Sequence, residues 1–374
     1  MPFLGASSGR MSANYTVAIA AASVSLWACF PLASAQDQKA SVLGEKLRLE
    51  HPRARCAAFG PEGRILSGNV GQDFKDGKKV PAECTVRVWD LKTGKQLRSF
   101  KTHDGGAIVA FSPDGRRALS VTESSRAEPK TRLWDVETGK ELLALKMPKD
   151  QPVALSPDWR QCFCVSEEGG SSLWDLVTGK KVRDLNWKLP QGQRMAVLSA
   201  DWKRALSVNK DENGTDRAVR LWDVEAGREL HRLEGHRDRV NCVAFSPDGR
   251  RAVSGGGNYN SPRGAADSSV RVWDLEKGRE LRRYYEGEKA AVMHVAFTPD
   301  GRRALSSGSF SLDAPSDATI RLWDVETGKQ VCRFKGHEQD GIAVLLVALV
   351  VSSDGRSAAS VGIDGTVRVW ELPK

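Results

Sequence analysis

Val86-Arg87-Val88-Trp89-Asp90 returns as Thr131-Arg132-Leu133-Trp134-Asp135 and again as Ser171-Ser172-Leu173-Trp174-Asp175. The series continues at 219–223, 270–274 and 320–324 and ends at Val367-Arg368-Val369-Trp370-Glu371. Its seven tryptophans stand 45, 40, 48, 51, 50 and 47 residues apart. A period of that size marks an array of supersecondary units rather than a conventional domain. Two further motifs keep the same step. Phe111-Ser112-Pro113-Asp114-Gly115 recurs at 245–249 and, with Thr for Ser, at 297–301, while Glu137-Thr138-Gly139-Lys140 has relatives after each Trp-Asp. Both are turn chemistry: Pro presets φ, Asp bonds back to the backbone and Gly takes a left-handed conformation.

The stretches between turns have strand length and alternate apolar with polar, or are rich in Val, Leu and Ala. No helical period appears after the first 35 residues. Four short strands per unit cannot bury both faces of their own sheet, so the units must pack against one another. The sequence therefore predicts an all-β chain: seven four-stranded antiparallel blades closed radially into a β-propeller.

On these three motifs the chain resembles the WD-repeat (WD40) family over residues 42–371. The resemblance implies that the strand after each Trp-Asp is the outermost of its blade. The chain stops three residues after Glu371, so the last blade lacks that strand, and 44–51 (Gly-Glu-Lys-Leu-Arg-Leu-Glu-His) reads like a version of 227–236 shorter by a residue or two. Lys46 to Glu50 is therefore expected to pair with Val367 to Trp370 and close the ring, making 36–374 one domain.

The resemblance also implies hydrogen-bonded tetrads of His, Ser, Asp and Trp. Full sets are His236, Ser254, Asp267, Trp273 and His337, Ser360, Asp364, Trp370. Glu replaces Asp in His103, Ser120, Glu128, Trp134 and in His51, Ser67, Glu83, Trp89. The remaining sets are partial: Ser166 with Trp174, then Ser207, Asp216 and Trp222, then Glu288, Ser306, Asp317 and Trp323. A Ser-His-Asp trio invites a hydrolase reading. It recurs once per blade, however, and its Ser lies mid-strand rather than on a strained nucleophile turn. No catalytic residue is therefore assigned. The Arg two residues before most of the tryptophans shares their strand face, and the Asp of Trp-Asp is its expected partner.

The first 35 residues carry one charge, Arg10, then an apolar run from Tyr15 to Leu32 and the ending Ala33-Ser34-Ala35. This is the form of a signal peptide cleaved after Ala35, leading to a periplasmic or extracellular protein. The alternatives are an uncleaved anchor and a lipoprotein modified at Cys29. After cleavage no membrane span is expected, since the apolar run Ile342 to Val351 is too short and reads as the first strand of the last blade.

Six histidines lie scattered without ligand spacing, so neither metal nor cofactor is predicted. Cys162 and Cys164 at i, i+2, and Cys56 and Cys242 in equivalent strands, read as apolar filler, with one disulfide at most. The formal charge of +9 comes from 56 basic and 47 acidic residues. It spreads around the turns on one face (Arg64, Arg116, Arg250, Arg302 and others) without the aromatic interleaving of nucleic-acid binders.

Individuality lies in the loops. Those on the opposite, top face are enlarged at 69–83, 208–216, 255–267 and 307–317, and they offer Phe74, Tyr259, Arg263 and Phe310 as partner-binding anchors. Trp159 and Trp202 replace the turn glycine in two bottom-face turns. A Trp adopts positive φ only at a cost, so these turns should change type, their rings folding onto the surface or forming a second contact patch. The function expected is a monomeric, non-catalytic scaffold for protein partners, or else a binder of envelope carbohydrate or another anionic polymer.

Overall fold

In each repeat the first motif to act is the bottom turn. Ser246 Oγ donates to Asp248 at 2.6 Å and accepts from Arg251 N at 2.9 Å, while Asp248 accepts from Arg250 N at 3.0 Å. Gly249 N closes the turn on Ser246 O at 2.8 Å with φ of 67°. The second turn follows the Trp strand: Asp135 accepts from Thr138 N and Thr138 Oγ1, both at 2.7 Å, and Gly139 has φ of 69°. Each turn is satisfied within five residues, which is why both are legible in the sequence.

These turns fold the chain into seven four-stranded antiparallel blades. The computed structural model describes residues 41–374 except 70–71, 76–77, 82–83, 102–107, 122–129, 147–149, 157, 167, 189–192, 210–215, 258–266, 286–290, 309–318 and 340–341. The expected leader and Cys29 lie outside the described residues, within which there is no helix. Blade one comprises Ala54–Phe59, Arg64–Asn69, Thr85–Asp90 and Gln96–Lys101; blade five comprises Val240–Phe245, Arg251–Gly256, Ser269–Asp274 and Arg279–Tyr285. In blade seven Leu346–Val351, Ser357–Gly362 and Thr366–Glu371 are joined by the N-terminal strand Leu47–Glu50. The register is Leu47↔Val369, Arg48↔Arg368, Leu49↔Val367 and Glu50↔Thr366, so the ring closes as the sequence predicts.

Three details differ from the sequence reading. Ser41–Leu43 runs parallel to the outer strand of blade six, Gln330–Phe334, as a fifth strand (Ser41↔Cys332, Leu43↔Phe334), so the N-terminal segment clips blade six to blade seven. The enlarged loop of blade one forms a hairpin of its own, Gln72–Lys75 with Lys78–Pro81. The apolar run from 342 is split: Ile342–Ala343 pairs with Glu338–Gln339, and only Leu346–Val351 forms the inner strand.

Packing is between blades. One cluster joins Val197, Leu206 and Leu221 to Ala252, Trp273 and Leu275, so Trp273 of blade five is buried against blade four. Equivalent clusters pair Trp134 with Leu66 and Val88, and Trp323 with Val253 and Val272. A buried Trp contributes several kcal/mol, on the order of 3–5 by truncation, and the repeat places one at every seam.

Candidate functional site

The polar sets are the first place to look for chemistry. Ser254 lies mid-strand and is fully buried. Its Oγ accepts from Trp273 Nε1 at 2.8 Å and lies 2.8 Å from His236 Nε2, while His236 Nδ1 lies 3.2 Å from Asp267. Asp267 also accepts from Arg237 N at 2.6 Å and Arg271 Nη2 at 2.9 Å. Blade seven repeats the arrangement: Trp370 Nε1 to Ser360 at 2.9 Å, His337 Nε2 to Ser360 at 2.8 Å, and His337 Nδ1 to Asp364 at 3.0 Å. A hydroxyl that already serves a Trp and a His, with no exposure, has no path to a substrate. Mutual satisfaction of buried polar groups is what the arrangement achieves.

Protonation follows burial. Burial lowers the pKa of His236 and His337, and with Arg87 it brings His51 down to about 3. Burial works to raise Asp364, but the His337 and Thr366 contacts outweigh it and hold the carboxyl at about 2. The rings are thus neutral and the acids ionised.

The other blades depart in instructive ways. In blade one His51 bonds Ser67 at 2.6 Å and Thr85 Oγ1 at 2.9 Å, and Trp89 reaches Ser67 at 2.8 Å. Glu83, like His103, Glu128, Glu288 and Asp317, lies outside the described residues. Ser120, Ser207 and Ser306 each accept from their Trp, at 2.8, 2.8 and 2.7 Å. In blade three the assignment of Ser166 is corrected: Cys164 pairs with Ser172 where Ser120 pairs with Arg132, and Trp174 donates to Ser172 at 3.0 Å instead. Ser166 is two residues further along, at the strand end.

The partner of the repeated Arg is also corrected. Arg271 bonds Asp267 at 2.9 Å and Glu280 at 2.5 Å; Arg220 bonds Asp216 at 2.6 Å and Glu229 at 3.1 Å; Arg368 bonds Asp364 and Glu45, both at 3.3 Å. Arg132 bonds Glu141 at 2.9 Å. The Asp of Trp-Asp lies an odd number of positions from the Arg, hence on the other strand face, and is committed to its own turn. The outer-strand Glu had a partial signal in the sequence: it follows Gly-Lys or Gly-Arg at 141, 229 and 280, whereas Gln96, Lys181 and Gln330 stand there in blades one, three and six.

On the top face Phe74 lies on the blade-one hairpin, its backbone paired with Lys79. Tyr259, Arg263 and Phe310 lie outside the described residues. On the bottom face Trp159 and Trp202 keep the turn they were expected to alter. Their φ values are 56° and 58°, and Trp159 N donates to Ser156 O at 2.8 Å as the glycine turns do. The left-handed backbone is tolerated because the rings gain packing. Trp159 is buried among Leu145, Leu155 and Trp174 and thus offers no surface, while Trp202 lies edge-on to Phe163 at 6.2 Å. The basic rim is interleaved with acids, as in Arg64–Glu62 at 3.1 Å and Arg251–Glu326 at 3.1 Å.

Among the described residues no group of three or more His, Cys, Asp or Glu could hold a metal ion, no disulfide joins the cysteines, and no helix is long and apolar enough to cross a membrane. The seven four-stranded blades define a β-propeller. Comparison with protein families matches the WD domain, G-beta repeat, at 227–274, 279–324 and 328–371. The chain is similar to the guanine nucleotide-binding protein subunit beta of Oryza sativa subsp. indica, 30% identical over 35% of this chain and 34% of that protein. It is also similar to the cilia- and flagella-associated protein 52 of Chlamydomonas reinhardtii, 27% identical over 71% of this chain and 39% of that one. Protein groucho of Drosophila melanogaster is 31% identical over 40% of this chain and 18% of its own length. The chain thus spans well under half the length of these relatives. The chain is thus a seven-bladed propeller in which 227–371 match WD40 repeats.

Proposed function

We propose that this chain is a non-catalytic scaffold that binds protein partners through its top face. The observation behind this reading is the division of labour among its polar residues. The Ser, His, Asp and Arg side chains that could do chemistry are locked into buried networks, while the top-face loops differ from blade to blade. A rigid ring with variable loops on one face suits recognition. Phe74, Tyr259, Arg263 and Phe310 are its proposed anchors, since aromatic and Arg side chains dominate binding energy at interfaces. Residues 1–35 act as an export signal cleaved after Ala35, placing a monomeric propeller in the periplasm or outside the cell.

Affinity capture from the envelope fraction, followed by alanine substitution at the four anchors, tests this. At least one variant should lose more than about 1 kcal/mol of partner affinity while thermal stability is unchanged. Normal binding by all four, with loss at Trp202→Ala, would move the working surface to the bottom face. Binding that weakens steeply with salt would favour an anionic polymer held by the basic rim.

A further inference from the structure

The strand Ser41–Leu43 shows what the outer edge of a blade can accept. It lies parallel to Cys332-Arg333-Phe334 of blade six, and Lys335 N donates to Leu43 O at 3.3 Å. By the blade register the counterpart of Cys332-Arg333-Phe334 in blade three is Arg183-Asp184-Leu185, because Leu322 pairs with Cys332 as Leu173 pairs with Arg183. That edge has no partner strand among the described residues, although its strand, Lys181–Lys188, is the longest in the molecule at eight residues.

Blade three differs from the others here in two ways. It alone has Ser172 in place of the repeated Arg, with Lys181 where blades two, four and five carry the clamping Glu, and on its outer strand Lys181 is paired with Asp184 while Arg183 and Lys188 are the further cations. Beside them Val177 and Val182 are 66% and 49% exposed, whereas Leu230, Leu281 and Val331, at the position of Val182 in blades four to six, pack against core clusters. Blades one and two expose Leu97 and Leu142, but Arg98 is paired with Glu137 and the blade-two edge reads Leu143-Ala144-Leu145.

We propose that the outer edge of blade three binds an acidic, partly apolar peptide segment as a fifth strand along Arg183–Leu185. Backbone pairing would supply affinity, as in strand addition generally. Val177 and Val182 would receive an apolar side chain, and the basic groups would select acidic neighbours. The same charges oppose edge-to-edge pairing of two copies of this strand, since lysines on an edge repel a like edge. The occupant is therefore an acidic partner segment and not a second copy. The surface is separate from the top face, so either assignment can fail alone.

The test uses the full chain and a fluorescent peptide of alternating Glu and Val, with an alternating Lys and Val peptide as control. Binding of the Glu–Val peptide alone is expected, weakened at least tenfold by Arg183→Glu combined with Lys188→Glu, and unchanged by Lys92→Glu on blade one. Amide exchange over 181–188 should slow on binding, and a peptide N-methylated at alternate residues should lose affinity. Equal binding of the N-methylated peptide, protection confined to another blade, or no effect of the double substitution would overturn the proposal.

Discussion

Removing the hydroxyl of Ser254 leaves His236 Nε2 and Trp273 Nε1 without their shared partner inside a closed blade. Leaving a buried donor unmatched costs about 1–3 kcal/mol. Ser254→Ala should therefore lower the free energy of unfolding, read from denaturant titration, by at least that amount, and Ser360→Ala should do the same in blade seven, whereas Ser166→Ala at its strand end should be near neutral. The histidines add a pH dependence. His51, His236 and His337 have folded pKa values below the ordinary 6.5, so the unfolded chain binds protons that the folded ring refuses. Stability is then level above about pH 6.5 and falls as pH drops below it, for His51 down to about 3. Unfolding midpoints between pH 8 and 4 should show this slope, reduced in His51→Gln; an unchanged slope in that variant would deny His51 its share.

Among the elements, the bottom turns of blades three and four set backbone strain against packing. Positive φ at a non-glycine residue costs about 1–2 kcal/mol, and deletion of a buried Trp costs about 3–5 kcal/mol. Trp159→Gly removes both, so a net loss of stability is expected. Trp202, half-buried against Phe163, has less to lose, and Trp202→Gly should cost less than Trp159→Gly. Thermal unfolding of the pair decides this, and the reverse order would mean that the strain outweighs the packing. The same competition explains the failed expectation at these turns. Local preference argued for a new turn type, but the ring had a buried place to go that no local rule contains.

At the scale of the whole ring, closure rests on ten residues. Leu47–Glu50 completes blade seven and Ser41–Leu43 lies on blade six, so both ends of the seam are held by the N-terminal segment. Truncation to residue 44 should cost only the three-residue strand. Truncation to residue 51 should expose the long edge of Thr366–Glu371 and lower cooperativity as well as midpoint, with aggregation as the visible outcome. Equal behaviour of the two truncations would show that the parallel strand, not the closing strand, holds the seam.

The propeller, its blade count and its closure were legible in the sequence because each depends on a pattern repeated in step: a turn every few residues, a Trp at every seam, and an N-terminal stretch resembling the strand the last blade lacks. The full tetrads of blades five and seven were legible only through the family resemblance that those motifs carry. What depends on one exceptional neighbour was not. Ser172 takes the indole bond because Cys164 stands where serine is usual, the repeated Arg turns to the outer-strand Glu because its Trp-Asp acid faces the other way, and Ser41–Leu43 finds blade six across a stretch of chain with no repeat to announce it. A period records what every blade must do to pack against the next. Only the tertiary structure decides where a blade that departs from it finds a partner, because that partner lies on another strand at a distance no local spacing encodes.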